Sequence, residues 1–209
     1  MRTVHVIAHP EATHHVERTV GGWHDSRLTP AGEHAALLIA QALRNRIPPT
    51  AKVRLFSSDL QRTAQTAATI ADVFDVEPIL DSRLREKSYG DAEGRPQEWL
   101  DERFRPPPAD GDRMGHHEGV PGAETKAAFA KRIYAAMDTV LEDPCDHQIV
   151  VTHGFAVTFV LTSWIGMPID SLGYVNFRAA SGNITTLHED DYFHNRHVLT
   201  LGDTGHLAG

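Results

Sequence analysis

The sequence predicts an α/β layered fold, and three observations carry that expectation. Short apolar, β-branched runs alternate along the chain with longer runs whose apolar residues recur at helical spacing. Two of the short runs, TVHVIA (3–8) and QIVVT (148–152), are unbroken enough to be strands buried in a sheet. At 209 residues, with 41% apolar and 23% charged residues, the chain suits one sizeable core, alone or with an insertion.

Taken in order, Thr3 to Ala8 is the first strand. Thr29 followed by Pro30 has the form of an N-cap with proline at the first helical position. Ala35, Leu38, Ile39 and Ala42 continue that helix at helical spacing, and Pro48-Pro49 ends the unit. Val53 to Ser57 is a second strand, after which Asp59 is placed to cap a helix reaching Phe74. Glu77 to Leu80 gives a short third strand. Residues 95–122 break the rhythm: three consecutive prolines, several glycines and many charges mark an insertion over the core. Phe129, Ile133, Met137, Val140 and Leu141 then mark one face of a helix, and FAVTFVLTSWIG (155–166) is an apolar helix ended by Gly166. Gly173 to Phe177 and Asn183 to His188 are expected to close a hairpin around Ala180–Gly182, with His194 to Thr200 at the edge. No internal repeat and no long linker is present, so residues 1–209 are expected to be a single domain.

Charge and composition exclude several functions. The formal charge is −8 with no basic block, which argues against a nucleic-acid partner. No run approaches the length of a membrane span, and MRTVHVIAHP lacks the apolar core of a signal peptide, so no membrane partner is expected. The single cysteine, Cys145, rules out an intramolecular disulfide and makes a reducing cytoplasm the simplest location. Fourteen histidines are either scattered surface residues or a sign of pH sensitivity or metal affinity. His14-His15 and His116-His117 raise the metal case, but adjacent histidines do not easily aim at one ion. The chain has no HExxH, no cysteine pair and no aspartate-rich cluster at ligand spacing, so neither metal nor cofactor is expected.

In open α/β sheets, sites gather where strand carboxyl ends meet helix N-termini. His9 follows the first strand, Arg62 lies in the first turns of the helix after the second, and His153 follows QIVVT. Two imidazoles and a guanidinium on one sheet edge would make an anion site with a base or nucleophile at hand. Spacing alone leaves structural roles for all three open.

The segments HPEATHH, GGWHDSRLTPAG, SSDLQRTAQTA, LREKSYGDAEG, PGAET and VVTHG occur in the order found in the histidine phosphatase superfamily, the phosphoglycerate mutase-like enzymes. The chain resembles that family from Val4 to about Gly154. The resemblance implies a three-layer α/β/α sandwich with a mostly parallel sheet. It also implies catalysis through a phosphohistidine. His9 matches the nucleophile, Arg62 the arginine that holds the phosphoryl oxygens, and His153 the second histidine that donates to them. Glu86 matches the carboxyl group that protonates the leaving oxygen and then activates water. His15, Gly21, Gly22 and Gly154 fall at phosphate- or substrate-binding positions, with Gly21-Gly22-Trp23 in the substrate-side loop. The partner so implied is a small phosphorylated substrate, and since dimers are common among such relatives the resemblance allows a homodimer.

One departure stands out. The family reads Arg-His-Gly where this chain reads Ala8-His9-Pro10. A preorganised phosphate donor is therefore missing, a loss worth about 3 kcal/mol of transition-state stabilisation. Proline in place of glycine also removes an N–H and fixes φ. His15 is a further possible phosphate donor, and His5, His14, His24 or an arginine of the insertion are the candidates to restore charge; Arg103, Arg105, Arg113, His116 and His117 of the insertion are placed either to touch an anionic substrate or to form a solvated lid. Three functions follow: hydrolysis of a small phosphomonoester, another reaction in a remodelled pocket, or ligand binding without turnover. A mutase is less favoured than a phosphatase, because known mutases of the family carry a larger insertion.

Overall fold

The computed structural model describes residues 1–208. Six strands form one sheet in the order β3-β2-β4-β1-β5-β6. They are β1 (Arg2–Ala8), β2 (Val53–Ser57), β3 (Pro78–Leu80), β4 (His147–Thr152), β5 (Ile184–Glu189) and β6 (Arg196–Asp203). The first four run parallel, β1 on β4, β4 on β2 and β2 on β3; β5 joins β1 antiparallel and β6 closes the edge as a hairpin with it.

Residue alternation along the strands creates two cores. Val4, Val6 and Ala8 of β1, Phe56 of β2 and Val150 of β4 face one side. There they meet Phe129, Ile133 and Met137 of α5 (Lys126–Glu142) and Phe159 and Trp164 of α6 (Ala156–Trp164). Ile7, Leu55, Ile149 and Val151 face the other side, against Ile39 and Leu43 of α2 (Pro30–Arg46) and Ala67 and Ile70 of α3 (Gln61–Phe74). Helices on both faces of a mostly parallel sheet make the three-layer sandwich. Two five-residue helices complete the inventory, α1 (Thr13–Glu17) and α4 (Gln97–Asp101). No helix is long and apolar enough to cross a membrane among the described residues.

Several local expectations are corrected. Thr29 does cap α2, its Oγ1 accepting from Gly32 N at 3.0 Å. The buried stripe of α2, however, is Gly32, Ala36, Ile39, Ala40 and Leu43, with Ala35, Leu38 and Ala42 on its flanks. Asp59 does not cap α3. Its carboxylate is held by Arg85 Nε and Nη2, both at 2.6 Å, and Asp25 Oδ1 instead accepts from Gln61 N at 2.7 Å. Gly173 to Phe177 is no strand: Ile169–Tyr174 forms a 3-10 turn. Its backbone is claimed by side chains, Lys126 Nζ binding the carbonyls of Leu172, Gly173 and Val175 and Thr158 Oγ1 accepting from Phe177 N. The hairpin partner of β5 is therefore β6.

Candidate active site

Register places the site. Ala8 pairs with Thr152 and Ser57 with Val151, so β1, β4 and β2 end side by side. His9, Ser58 and His153 leave those ends together. His9 N still bonds Thr152 O at 3.0 Å, which carries the strand geometry into the loop.

His9 is buried and held at both ring nitrogens. Nδ1 lies 2.7 Å from the carbonyl of Pro10, which can only accept, so Nδ1 carries the proton. Arg62 Nε donates to Nε2 at 3.1 Å, so Nε2 presents a lone pair. Burial, then the Arg62 charge, hold the imidazole pKa well below its usual value, and the ring is neutral. Proline at position 10 removes an N–H but keeps the carbonyl that orients the ring. The His9 carbonyl is fixed in turn by Ser181 Oγ at 2.8 Å and Gly182 N at 3.2 Å.

Arg62 is 1% exposed, and burial lowers its pKa to about 10, which leaves it charged at neutral pH. Its Nη1 donates to the carbonyl of His24 and Nη2 to that of Gly22, each at 2.7 Å. Gly22 sits at φ +53, and a Cβ there would come within 3.0 Å of Glu93 Oε1 and of the Tyr89 ring. A glycine is thus required for the loop carbonyl to reach the guanidinium.

His153 lies wholly inside, its ring centroid 5.1 Å from that of His9. Nε2 bonds Ser58 Oγ at 2.9 Å; Nδ1 is buried without a partner among the described residues. Glu86 is half-buried, with Oε1 accepting from Lys87 N at 2.8 Å and Oε2 from Phe155 N at 3.0 Å. Burial raises its pKa, against the opposing pull of those two N–H groups, Arg62 and Arg132. The Glu86 carbonyl is itself clamped by Arg132 Nη2 at 2.6 Å and Trp23 Nε1 at 2.7 Å.

A cavity of about 510 Å³ gathers His9, His15, Gly21, Gly22, Arg62, Glu86 and Gly154. His153 stands behind it rather than on its wall. His15 is exposed and stacks near His9, with centroids 5.7 Å apart; its Nδ1 accepts from Ala12 N, so Nε2–H is the free donor. His14 bonds Ser26 Oγ at 2.7 Å, and its pKa is pushed down to about 3 by burial, then by His15 and Arg62.

The other candidates for restored charge or substrate contact lie elsewhere. His5 bonds Thr186 Oγ1 within the sheet, and His24 contributes its carbonyl to Arg62. Arg103 stacks on Trp99, Arg105 packs against Gly119, and Arg113 stacks on Tyr174. His117 accepts from Gly119 N, and His116 faces a second cavity. Ala8 is enclosed in the apolar cluster with Phe56 and Val150 and does not reach the cavity.

Sequence reasoning missed Arg18, Tyr89, Gln97 and Leu100 of the cavity wall and the supporting hydroxyls of Ser26 and Ser58. Ser58 was findable, since it follows a parallel strand end as His9 and His153 do. Arg18 was not: it reaches the wall from the left-handed C-cap of α1, at φ 54. No three His, Cys, Asp or Glu side chains are grouped as a metal site among the described residues.

The sequence model of the histidine phosphatase superfamily (branch 1) matches residues 4–200. A protein of Yersinia enterocolitica named "Probable phosphoglycerate mutase GpmB" is 32% identical over 99% of this chain and 95% of its own. Among solved structures, YhfR of Bacillus stearothermophilus superposes with a TM-score of 0.77 at 23% identity, covering 99% of this chain and 100% of its own. A mycobacterial glucosyl-3-phosphoglycerate phosphatase gives 0.77 at 19% identity, covering 98% and 100%. These likenesses show the same fold.

Proposed function

The chain belongs to the histidine phosphatase superfamily, and on that premise we propose that it hydrolyses a small phosphomonoester through a phosphohistidine at His9. The observation that carries this is the state of His9: a neutral imidazole, turned by the Pro10 carbonyl, whose Nε2 lone pair sits against the Arg62 guanidinium.

The steps follow from that arrangement. An incoming phosphoryl oxygen takes over the Arg62 Nε–H, which frees the Nε2 lone pair. Nε2 attacks phosphorus, the ester P–O bond breaks, and the proton of the Glu86 carboxyl group goes to the departing oxygen. Arg62 offsets charge on the transferring oxygens and the free Nε2–H of His15 on the cavity wall donates to them, while His153, behind the wall, supports the site through Ser58. Glu86, now a carboxylate, takes a proton from water; that water attacks phosphorus, the N–P bond breaks and phosphate leaves. A 510 Å³ cavity suits a small metabolite. We read the chain as one domain in which the 95–122 segment completes this cavity through Gln97 and Leu100.

The test is direct. After brief incubation with a phosphomonoester and quenching in alkali, mass spectrometry should find an alkali-stable phosphoryl group on His9. Turnover should fall by about three orders of magnitude or more in His9→Ala. Undiminished turnover in His9→Ala would overturn the proposal.

A mutase is the second reading, favoured by the name of the Yersinia relative. Phosphorus NMR on phosphoglycerates separates the two: isomer exchange without inorganic phosphate marks a mutase, phosphate release a phosphatase. The exposed His15 and Arg18 on the cavity wall favour access of water, and so release.

A further inference from the structure

A second cavity, of about 230 Å³, opens where the 95–122 segment meets the start of α5. Its wall holds three cations, Lys87, Arg113 and Lys126, but a single carboxylate, Glu118. Glu118 is committed to Lys87 by a buried ion pair of 2.5 Å. Arg113 and Lys126 have no carboxylate partner among the described residues. Arg113 Nε and Nη1 donate to the carbonyls of Gly173 and Pro108, and Lys126 Nζ donates to three carbonyls of 172–175. Carbonyls satisfy hydrogen bonds without cancelling charge. Two like charges held together in a half-buried hollow, in a chain of net charge −8, are costly unless an anion joins them. Burial and then Arg113 hold the Lys126 pKa below its usual value, as such crowding demands.

Two side-chain nitrogens of the lining residues remain uncommitted. Arg113 Nη2 has no bond among the described residues, and His116 Nε2 is buried without a partner. Phe104, Phe155 and Tyr174 supply an aromatic wall, and Arg113 stacks 4.3 Å from the Tyr174 ring centroid. The hollow also abuts the catalytic cavity. Glu86 and Gly154 line the first, and their chain neighbours Lys87 and Phe155 line the second. A third hollow shares Gly154 with the first, and Phe155 and Asn176 with the second.

From this juxtaposition we propose that Arg113 and Lys126 form a second anion site, taking a carboxylate or phosphate carried on an apolar body. The anion is either the far end of an extended substrate, which rests on the phosphatase reading, or a separate ligand. Two arms of one experiment decide. In the first, ω-carboxyalkyl phosphates are compared with alkyl phosphates of matching length. At one chain length the carboxylate should raise kcat/KM about tenfold, the advantage should vanish in Arg113→Gln and largely survive in Arg113→Lys, and alkyl phosphates should be unaffected. In the second, a naphthalene carboxylate is titrated calorimetrically into the natural chain and into His9→Ala. It should bind both equally and bind Arg113→Gln about tenfold more weakly. Asn176→Asp, an exposed rim change that adds a repelling charge, should weaken either effect and serves if Arg113→Gln folds poorly. A positive first arm identifies the substrate's own anion; a positive second arm alone identifies a separate ligand. No carboxylate advantage at any length, together with naphthalene carboxylate binding absent or indifferent to both substitutions, overturns the site. If no phosphate ester is hydrolysed, the phosphatase reading fails while the titration still decides this one.

Discussion

His9 and Glu86 need opposite protonation states for the proposed first step, and free in water they would rarely hold them together. Imidazole would be the more basic of the two, so at most pH values one partner would be in the wrong form. Burial moves both in the useful sense, lowering His9 and raising Glu86. The acid limb of kcat/KM should therefore lie well below pH 6.5, because His9 stays unprotonated until its depressed pKa is passed. The alkaline limb should track loss of the Glu86 proton and fall as pH rises through that raised pKa. Glu86→Gln should cut kcat by about two to four orders of magnitude and flatten the alkaline limb. A pH profile of both proteins checks this, and an unchanged alkaline limb in the variant would assign it to another group.

At the scale of elements, Arg132 of α5 ties the loop that carries Glu86 to the helix layer. It donates to the carbonyls of Arg83, Arg85 and Glu86 and to both oxygens of Glu124. Arg132→Met keeps the aliphatic stem against Phe129 and removes the fork. The variant should lower kcat about tenfold or more with little change in KM, and move the alkaline limb, as Glu86 loses its fixed backbone. A loss confined to thermal stability would reduce Arg132 to a structural strut. Neither this clamp nor the cap of α3 was legible in the sequence, and for one reason. Asp59 stands where a cap belongs, but Arg85 occupies it and the distant Asp25 supplies the acceptor. Local patterns name the strands, and the Thr29-Pro30 start of α2 is a local event. Contacts between residues far apart in sequence leave no spacing to read. Gly173 to Phe177 failed likewise: its apolar pattern is strand-like, but Lys126 had already taken its carbonyls.

The molecule as a whole carries an unusual load of interior imidazole. His5, His9, His14 and His153 are buried, and each has a lowered pKa. In the unfolded chain each takes up a proton as pH falls through about 6.5, while the folded form resists. The unfolded state then binds more protons, so stability is highest above that pH and is lost as pH drops. With a folded-state pKa of about 4, His5 alone should remove about 2 kcal/mol by pH 5. His5→Gln should flatten this dependence in urea titrations at pH 7.5 and 5, whereas equal slopes in both proteins would place the acid sensitivity elsewhere. The layered architecture was legible because alternation along β1 and β4 decides which residues enter each core. The edge that carries the candidate site was legible because it lies at the ends of those strands. The second cavity was not, since it exists only where residues 104–118, 126 and 173–176 meet.

The grip on the His9 ring comes from a main-chain oxygen at position 10, and every amino acid owns one. What must be inherited for aim is consequently the path of a loop rather than the letter written there. Homologues carrying neither arginine before the histidine nor glycine after it can thus keep a correctly turned imidazole, and surveys keyed to those letters will pass them by.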